Sequence, residues 1–245
     1  MGKRHQRERG FRSHRPIGVR QKEIRFLIIS EDTKSSVLYF KAMIKDIQAI
    51  QNSVVEEVST QEQSNDEFVG VSPKSKIEGC GMATMRLLEE AKEIRDKEQT
   101  PFDSCWLVFD KDSFPDFNQA IREATDAGFK VAWSNESFEL WYLLHFRYHN
   151  TALGRKECTK ALEEEIREHD PEFKYKKGSS DMYTILSQHG DQDQAIKHAR
   201  KLRGNYTDNN FAKHNPCTRV DELVKVLTNP DERKKIYNKG ARRTK

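Results

Sequence analysis

The sequence predicts an α/β protein, a parallel sheet flanked by helices and followed by a helical C-terminal extension. Short apolar runs alternate with amphipathic segments of helical period from residue 24 to about 148. The runs are apolar nearly throughout rather than at every second position, as strands covered on both faces require. From residue 151 onward the pattern is helical only, with Gly, Pro and Asn as punctuation.

Residues 1–22 (MGKRHQRERGFRSHRPIGVRQK) have no hydrophobic period and mix Arg, His, Gly and Pro, which reads as a flexible basic arm. IRFLIIS (24–30) is the first strand. Val37, Leu38, Phe40, Ala42, Met43, Ile44 and Ile47 then recur at helical spacing over 35–50, with Ser35 or Ser36 as the cap. The valines of SVVEEVST (53–60) suggest a second strand, and EFVGVSP (67–73) a short edge piece. A helix is expected over 82–97, where Met82, Met85, Leu88, Ala91 and Ile94 share one side. SCWLVF (104–109) is a third strand, 117–127 a helix closed by Gly128, and FKVAWS (129–134) a fourth strand. FELWYLLHF (138–146) is a helix, and 156–169, 181–189, 192–202, 218–227 and 230–237 follow as further helices with no strand among them. The expected organisation is an arm (1–22), an α/β core (23–150), a helical extension (151–232) and a basic tail (233–245).

Composition removes several classes. The longest apolar runs fall far short of a bilayer span, and no apolar region follows the charged N-terminus, so neither a membrane helix nor a secretory signal is expected. Cys80, Cys105, Cys158 and Cys217 are widely spaced without a CxxC, which reads as reduced thiols in a cytoplasm rather than a disulfide framework or zinc site. Charge is informative by position. The net +4 conceals a net −10 over residues 26–232, offset by seven surplus cations in 1–25 and seven in 233–245. Basic ends on an acidic body suggest nucleic acid near the ends.

In an open parallel sheet, ligands sit beyond the carboxyl ends of the strands. Acids stand there three times: Glu31 and Asp32 after the first strand, Asp110 and Asp112 around Lys111 after the third, and Glu139, four residues beyond the amide Asn135, after the fourth. Carboxylates converging in this way repel unless a cation lies between them, and an all-oxygen donor set suits Mg2+ or Mn2+. Each acid also has a structural reading as an Asx turn or helix cap. Asn135 can be an ordinary N-cap, Glu139 a first-turn acid, and Lys111 a surface partner of a neighbouring acid. His145 reads as a core histidine, and Trp106 and Trp133 as core packing rather than base-stacking platforms. Lys174, Lys176 and Lys177 of the KYKK loop can touch a phosphate backbone or remain solvated.

FLIISE with Lys34, Tyr39 and Phe40 behind it, WLVFDKDSF, SNESFELWYLLHF and NPCTRVDELVKVL together resemble the RloB-like family, over about residues 24–227. The resemblance implies a Toprim-type core, in which a strand-end Glu and a DxD pair hold a divalent metal; Glu31 matches the Glu, and Asp110 and Asp112 the pair. It also implies a nuclease of prokaryotic anti-phage defence. RNA, transfer RNA in particular, stands ahead of DNA as substrate, and a partner ATPase is possible. On that basis the metal at Asp110 and Asp112 would polarise a phosphate. Glu31 would complete the metal shell or act as general base, and Lys34 and Lys111 would meet transition-state charge. Asp32, Thr33, Lys34, Ser35 and Ser36 stand where Toprim sequences usually have Gly followed by Lys-Thr-Glu. The missing Gly bears on how closely a phosphate approaches the backbone. The rival expectation is a non-catalytic subunit that binds nucleic acid or a partner protein, with the acids as structural strand-end residues.

Overall fold

The computed structural model describes residues 22–60, 68–82, 84–111 and 115–241, without side chains for 54–60 and 241. Residues 1–21 of the expected arm, the C-terminal four residues and Asp112 therefore lie outside the described residues, while Lys22, the last residue of the expected arm, already belongs to a strand. Five strands form the main sheet: β2 (Phe26–Ser30), β4 (Lys76–Gly79), β5 (Ser104–Asp110), β6 (Lys130–Asn135) and β7 (Cys217–Thr218). Their spatial order is β4-β2-β5-β6-β7, parallel except for β7. A separate pair joins β1 (Lys22–Ile24) to β3 (Val69–Val71).

The continuous apolar runs follow from this layering. Phe26 and Ile28 of β2 point into one core with Trp106, Val108 and Ala132, while Leu27 and Ile29 point into the other with Leu107, Phe109, Val131 and Trp133. Side chains alternate faces along a strand, so a strand with a core on each side is apolar at every position. The second core is closed by helices α2 (Thr84–Lys97) and α3 (Phe117–Asp126). The first is closed by α1 (Ser35–Thr60), the short α4 (Glu139–Leu143) and the extension helices α5 (Arg155–Arg167), α6 (Met182–His189), α7 (Gln192–Arg203) and α8 (Val220–Thr228). Leu162, Met182, Ala199 and Leu223 of the extension belong to the same core as Ile28 and Val108, so sheet and extension share one interior.

Three expectations are corrected. Residues 53–60 are not a strand but the last turns of α1, which meets neither Gly nor Pro over its 26 residues. Their valines have β propensity, yet an unbroken helix already propagating through them prevails. The sheet position assigned to them is taken by Lys76–Gly79, whose half-exposed KIEG sequence is legible only as an edge strand. The extension, expected to be wholly helical, contributes β7: Cys217 pairs with Asn135 and Thr218 with Ser134. Two residues are too few to show a period. Lastly, α1 is capped by neither Ser35 nor Ser36. Asp32 does this, accepting from the Lys34 N–H at 2.7 Å, the Ser36 N–H at 3.2 Å and the Ser36 hydroxyl at 2.5 Å.

The C-terminal basic run is helical as far as Ala241, forming α9 (Pro230–Ala241). Its Arg233 is 1% exposed and donates to the carbonyls of Val69 and Leu227, tying α9 to β3. Burial pushes this guanidinium down to about 10. All four cysteines are free, and no helix of the described residues is long and apolar enough to cross a membrane.

Candidate functional site

The order β4-β2-β5-β6 places the reversal of strand order between β2 and β5. From the carboxyl end of β2 the chain leaves over one face through α1; from the carboxyl end of β5 it leaves over the other through α3. The two crossovers diverge above the carboxyl ends of β2 and β5 and leave a crevice there. Glu31 follows the last residue of β2, and Asp110 is the last residue of β5. The ladder carries on past them, the Glu31 N–H donating to the Val108 carbonyl at 2.9 Å. The Asp110 N–H in turn donates to Glu31 Oε2 at 3.3 Å, so the Glu31 carboxylate lies across the end of β5.

A cavity of about 260 Å3 opens here, lined by Glu31, Asp32, Asp110, Gly81, Arg155 and Lys177 among others. Asp110 keeps 21% side-chain exposure, directed at an enclosed and crowded space. Burial, and then the charges of Glu139, Glu31 and Asp32, push its carboxyl well above the ordinary range, and Arg155 opposes them. The Arg155 guanidinium stands 3.6 Å from Asp110 Oδ2. Glu139 is buried and accepts from the Tyr175 hydroxyl at 2.7 Å. Burial and that carboxylate together raise the phenol pKa of Tyr175.

The cavity wall depends on two glycines. A Cβ on Gly79 would lie 2.4 Å from the Asp32 carbonyl oxygen, so only glycine lets the loop after β2 rest on the end of β4. Gly178 has φ +78° and would place a Cβ 2.7 Å from the Lys34 Cβ, while its N–H donates to Ser35 Oγ at 3.2 Å. The 174–178 loop of the extension is thereby seated on the loop after β2, which puts Lys177 at the cavity and the Tyr175 hydroxyl on Glu139.

Of the sequence candidates, Glu31, Asp110 and Lys177 line this cavity, and Glu139 with Lys177 lines the groove next to it. Lys34 packs its stem against Gly178 beside them. Lys111 is not a lining residue; its ammonium lies 6.0 Å from the Phe117 ring centroid. Lys174 and Lys176 are exposed and line neither space. Asn135 is buried, and its amide donates to the carbonyls of Phe211 and Ala212 at 3.4 and 3.2 Å. It ends β6 and does not cap α4, which begins at Glu139. Asp112 lies outside the described residues. His145 is a core residue whose Nδ1 meets the Trp141 carbonyl at 2.9 Å, and burial lowers its pKa to about 4. Arg155 and Tyr175 come from the extension and carry no local signal. Asp32 was legible as an acid but not as the cap.

Among the described residues no group of three or more His, Cys, Asp or Glu is placed to hold a metal ion. Glu31 and Asp110 are nevertheless two acids at neighbouring strand ends, and the burial and like charge that raise the Asp110 pKa are what a hard cation bound beside it would relieve. No curated protein and no solved structure matches the chain significantly. The family model described as RloB-like protein matches residues 26–227. The chain therefore belongs to the RloB-like family.

Proposed function

We propose that this protein is a metal-dependent nuclease with a Toprim-like core, acting on RNA, transfer RNA in particular, ahead of DNA, in defence against phage. The observation that carries the reading is the meeting of Glu31 and Asp110 at the end of adjacent parallel strands, in a cavity edged by Arg155 and Lys177. Carboxylates beside cations are what phosphodiester hydrolysis uses, the acids for a metal ion and a proton, the cations for phosphate charge. Glu31, Asp110 and Asp112 would hold Mg2+ or Mn2+, which when bound polarises the phosphate and lowers the pKa of water. Glu31 would accept the proton of the attacking water where it does not ligate the ion. Arg155 and Lys177, with Lys34 beside them, would meet the non-bridging oxygens as negative charge builds up. Glu139, fixed by the Tyr175 hydroxyl, adds to the negative potential that draws a cation to Asp110.

The test is incubation of purified full-length protein with transfer RNA and with supercoiled plasmid, in Mg2+, Mn2+ or chelator. Expected is metal-dependent cleavage that falls by roughly 100- to 1,000-fold on Glu31→Ala or Asp110→Ala, the usual cost of losing one electrostatic element of an active site. Cleavage that survives both substitutions places the chemistry elsewhere. A second reading, a subunit that binds nucleic acid or a partner without cutting, takes Glu31 and Asp110 as structural strand-end residues, Glu31 bound by the Asp110 N–H and Asp110 paired with Arg155. A Mn2+ titration followed by thermal melting separates the two. A nuclease site gives a shift that Asp110→Asn abolishes, and a binding subunit gives none. If a partner ATPase is required, the metal shift persists in the isolated chain while cleavage awaits the partner.

A further inference from the structure

Next to the carboxylate cavity lies a second, larger space of about 450 Å3. One wall is a face of α5: Arg155, Thr159, Glu163 and Arg167 in one i, i+4 row, and Lys156, Lys160 and Glu164 in the next. The opposite face of the same helix packs Cys158, Ala161, Leu162 and Ile166 into the core, so this wall is held rigidly. The other wall is the 174–178 loop, through Tyr175 and Lys177, with Glu139 at the inner end. Glu139, Arg155 and Lys177 stand at the junction. Arg155 and Lys177 line both spaces, and Asp110, the ion-pair partner of Arg155, lines the cavity. The two spaces therefore adjoin, with Arg155 and Lys177 as their common wall.

The charge of the groove is not balanced. Glu163 is taken up by Arg167 and by the Tyr175 N–H, Glu139 by the Tyr175 hydroxyl, and Glu164 lies 3.9 Å from Lys160. No ion pair among the described residues takes up Lys156 or Lys177. Two cations that no ion pair among the described residues takes up thus line the groove beside an acidic cavity. An anionic chain could lie against them while the scissile bond reaches Asp110, but a small acidic ligand would gain nothing from the second space. The groove follows one helix for about 18 Å, twelve residue steps at 1.5 Å each. Its volume is that of a small-molecule pocket, which admits one strand but not a duplex.

We infer that the α5 groove, with Lys156, Lys160 and Lys177 as its phosphate contacts, is where a single nucleic-acid strand lies on its way to the carboxylate cavity. The inference rests on the nuclease reading for its direction, but not for the binding itself. It assigns the backbone attraction of the folded body to the extension rather than to the acidic sheet edge.

The experiment is fluorescence anisotropy of the full-length protein with a labelled twelve-nucleotide single-stranded RNA, its DNA counterpart and a blunt duplex, over a series of salt concentrations in chelator. Lys156→Ala with Lys177→Ala is compared with Lys41→Ala with Lys45→Ala, exposed lysines of α1 outside the groove. For the groove pair the expected result is affinity for both single strands lowered about tenfold. Each phosphate contact adds about 0.7 to the single-strand salt slope, so its magnitude should drop by about 1.4. The α1 pair should match the native protein. Equal losses in both pairs, unchanged binding in the groove pair at an unchanged melting temperature, or a stronger effect on the duplex than on the strands would each overturn the groove. Should the groove pair weaken binding while Asp110→Ala leaves every cleavage assay unchanged, the groove stands and the nuclease site falls. The reverse pattern, cleavage dependent on Asp110 but indifferent to the groove pair, removes the groove alone.

Discussion

The carboxyl ends of β5 and β6 are neighbours in one sheet, yet they end in opposite ways. At β5, Asp110 faces a cavity and its charge is crowded by three other acids. At β6, Ser134 meets Thr218 hydroxyl to hydroxyl at 2.8 Å, and Asn135 donates to two carbonyls of the 211–212 segment. Around that seal, Ala212 and Asn210 are bound by Asn118, and His214 is stacked on Tyr206. Topology decides which end is which. Above β5 the crossovers part to opposite faces, whereas above β6 the chain comes back as antiparallel β7 and covers the strand end. An open strand end can carry charge that a ligand will neutralise; a sealed one must satisfy its polar groups internally.

The contrast predicts opposite signs for two amide-scale substitutions. Asn135→Ala leaves the partly buried Phe211 and Ala212 carbonyls without this donor, and should cost about 1.5 kcal/mol. Urea unfolding measures the loss, and hydrogen exchange should show residues 208–216 opening first. A loss below about 0.5 kcal/mol, the usual range for an exposed position, would mean that the end of β6 is not sealed as described.

At the open end, Asp110→Asn should stabilise the protein in the absence of divalent ions. The Asp110 pKa is raised on folding, so between its ordinary value of 3.8 and the raised one the native state retains a proton that the unfolded chain has released. Stability contributed by that proton is complete below the ordinary value and is lost as pH rises through the window, at about 1.4 kcal/mol per pH unit. Asparagine cannot ionise and escapes the loss. The melting temperature of Asp110→Asn should therefore exceed that of the native protein at pH 8 in chelator, and the gap should close as pH approaches 4. A gap that is the same at both pH values would break the account of Asp110 as a crowded carboxylate.

The same contrast governs what could be seen in the sequence. Strands β2, β5 and β6 were legible because a core on each face makes every position apolar. Strand β4 was not, because it borders the sheet and its side chains are half-exposed. Glu31 and Asp110 could be found because an acid directly behind an all-apolar run has nowhere to go but the sheet edge. Arg155, Tyr175 and the α5 face could not. Their role comes from the extension folding back over the strand ends, and no local spacing encodes that contact. Asn135 was visible as a residue after β6 but its task was hidden, since the segment it binds joins the sheet through two residues only.

Asp32 tests the comparison at its finest grain, because it lies at the open end and lines the cavity but has the bonds of a structural residue. Oδ1 accepts from the Lys34 N–H, and Oδ2 from the Ser36 N–H and hydroxyl, so both oxygens are committed to the first turn of α1. Alanine removes both acceptors and should cost about 1 kcal/mol or more, and asparagine, which keeps one acceptor oxygen but turns an NH2 toward the other donors, should cost a comparable amount. A ligand carboxylate would respond differently, since asparagine keeps the shape but loses the charge that a divalent ion requires. Thermal melting of Asp32→Ala and Asp32→Asn, with and without Mn2+, distinguishes the roles. A cap predicts that Asp32→Asn melts below the native protein yet keeps its full Mn2+ shift, whereas Asp110→Asn loses that shift. If Asp32→Asn loses it too, Asp32 is part of the cation site, and the carboxylates at the open end number one more than the strand-end pair of Glu31 and Asp110.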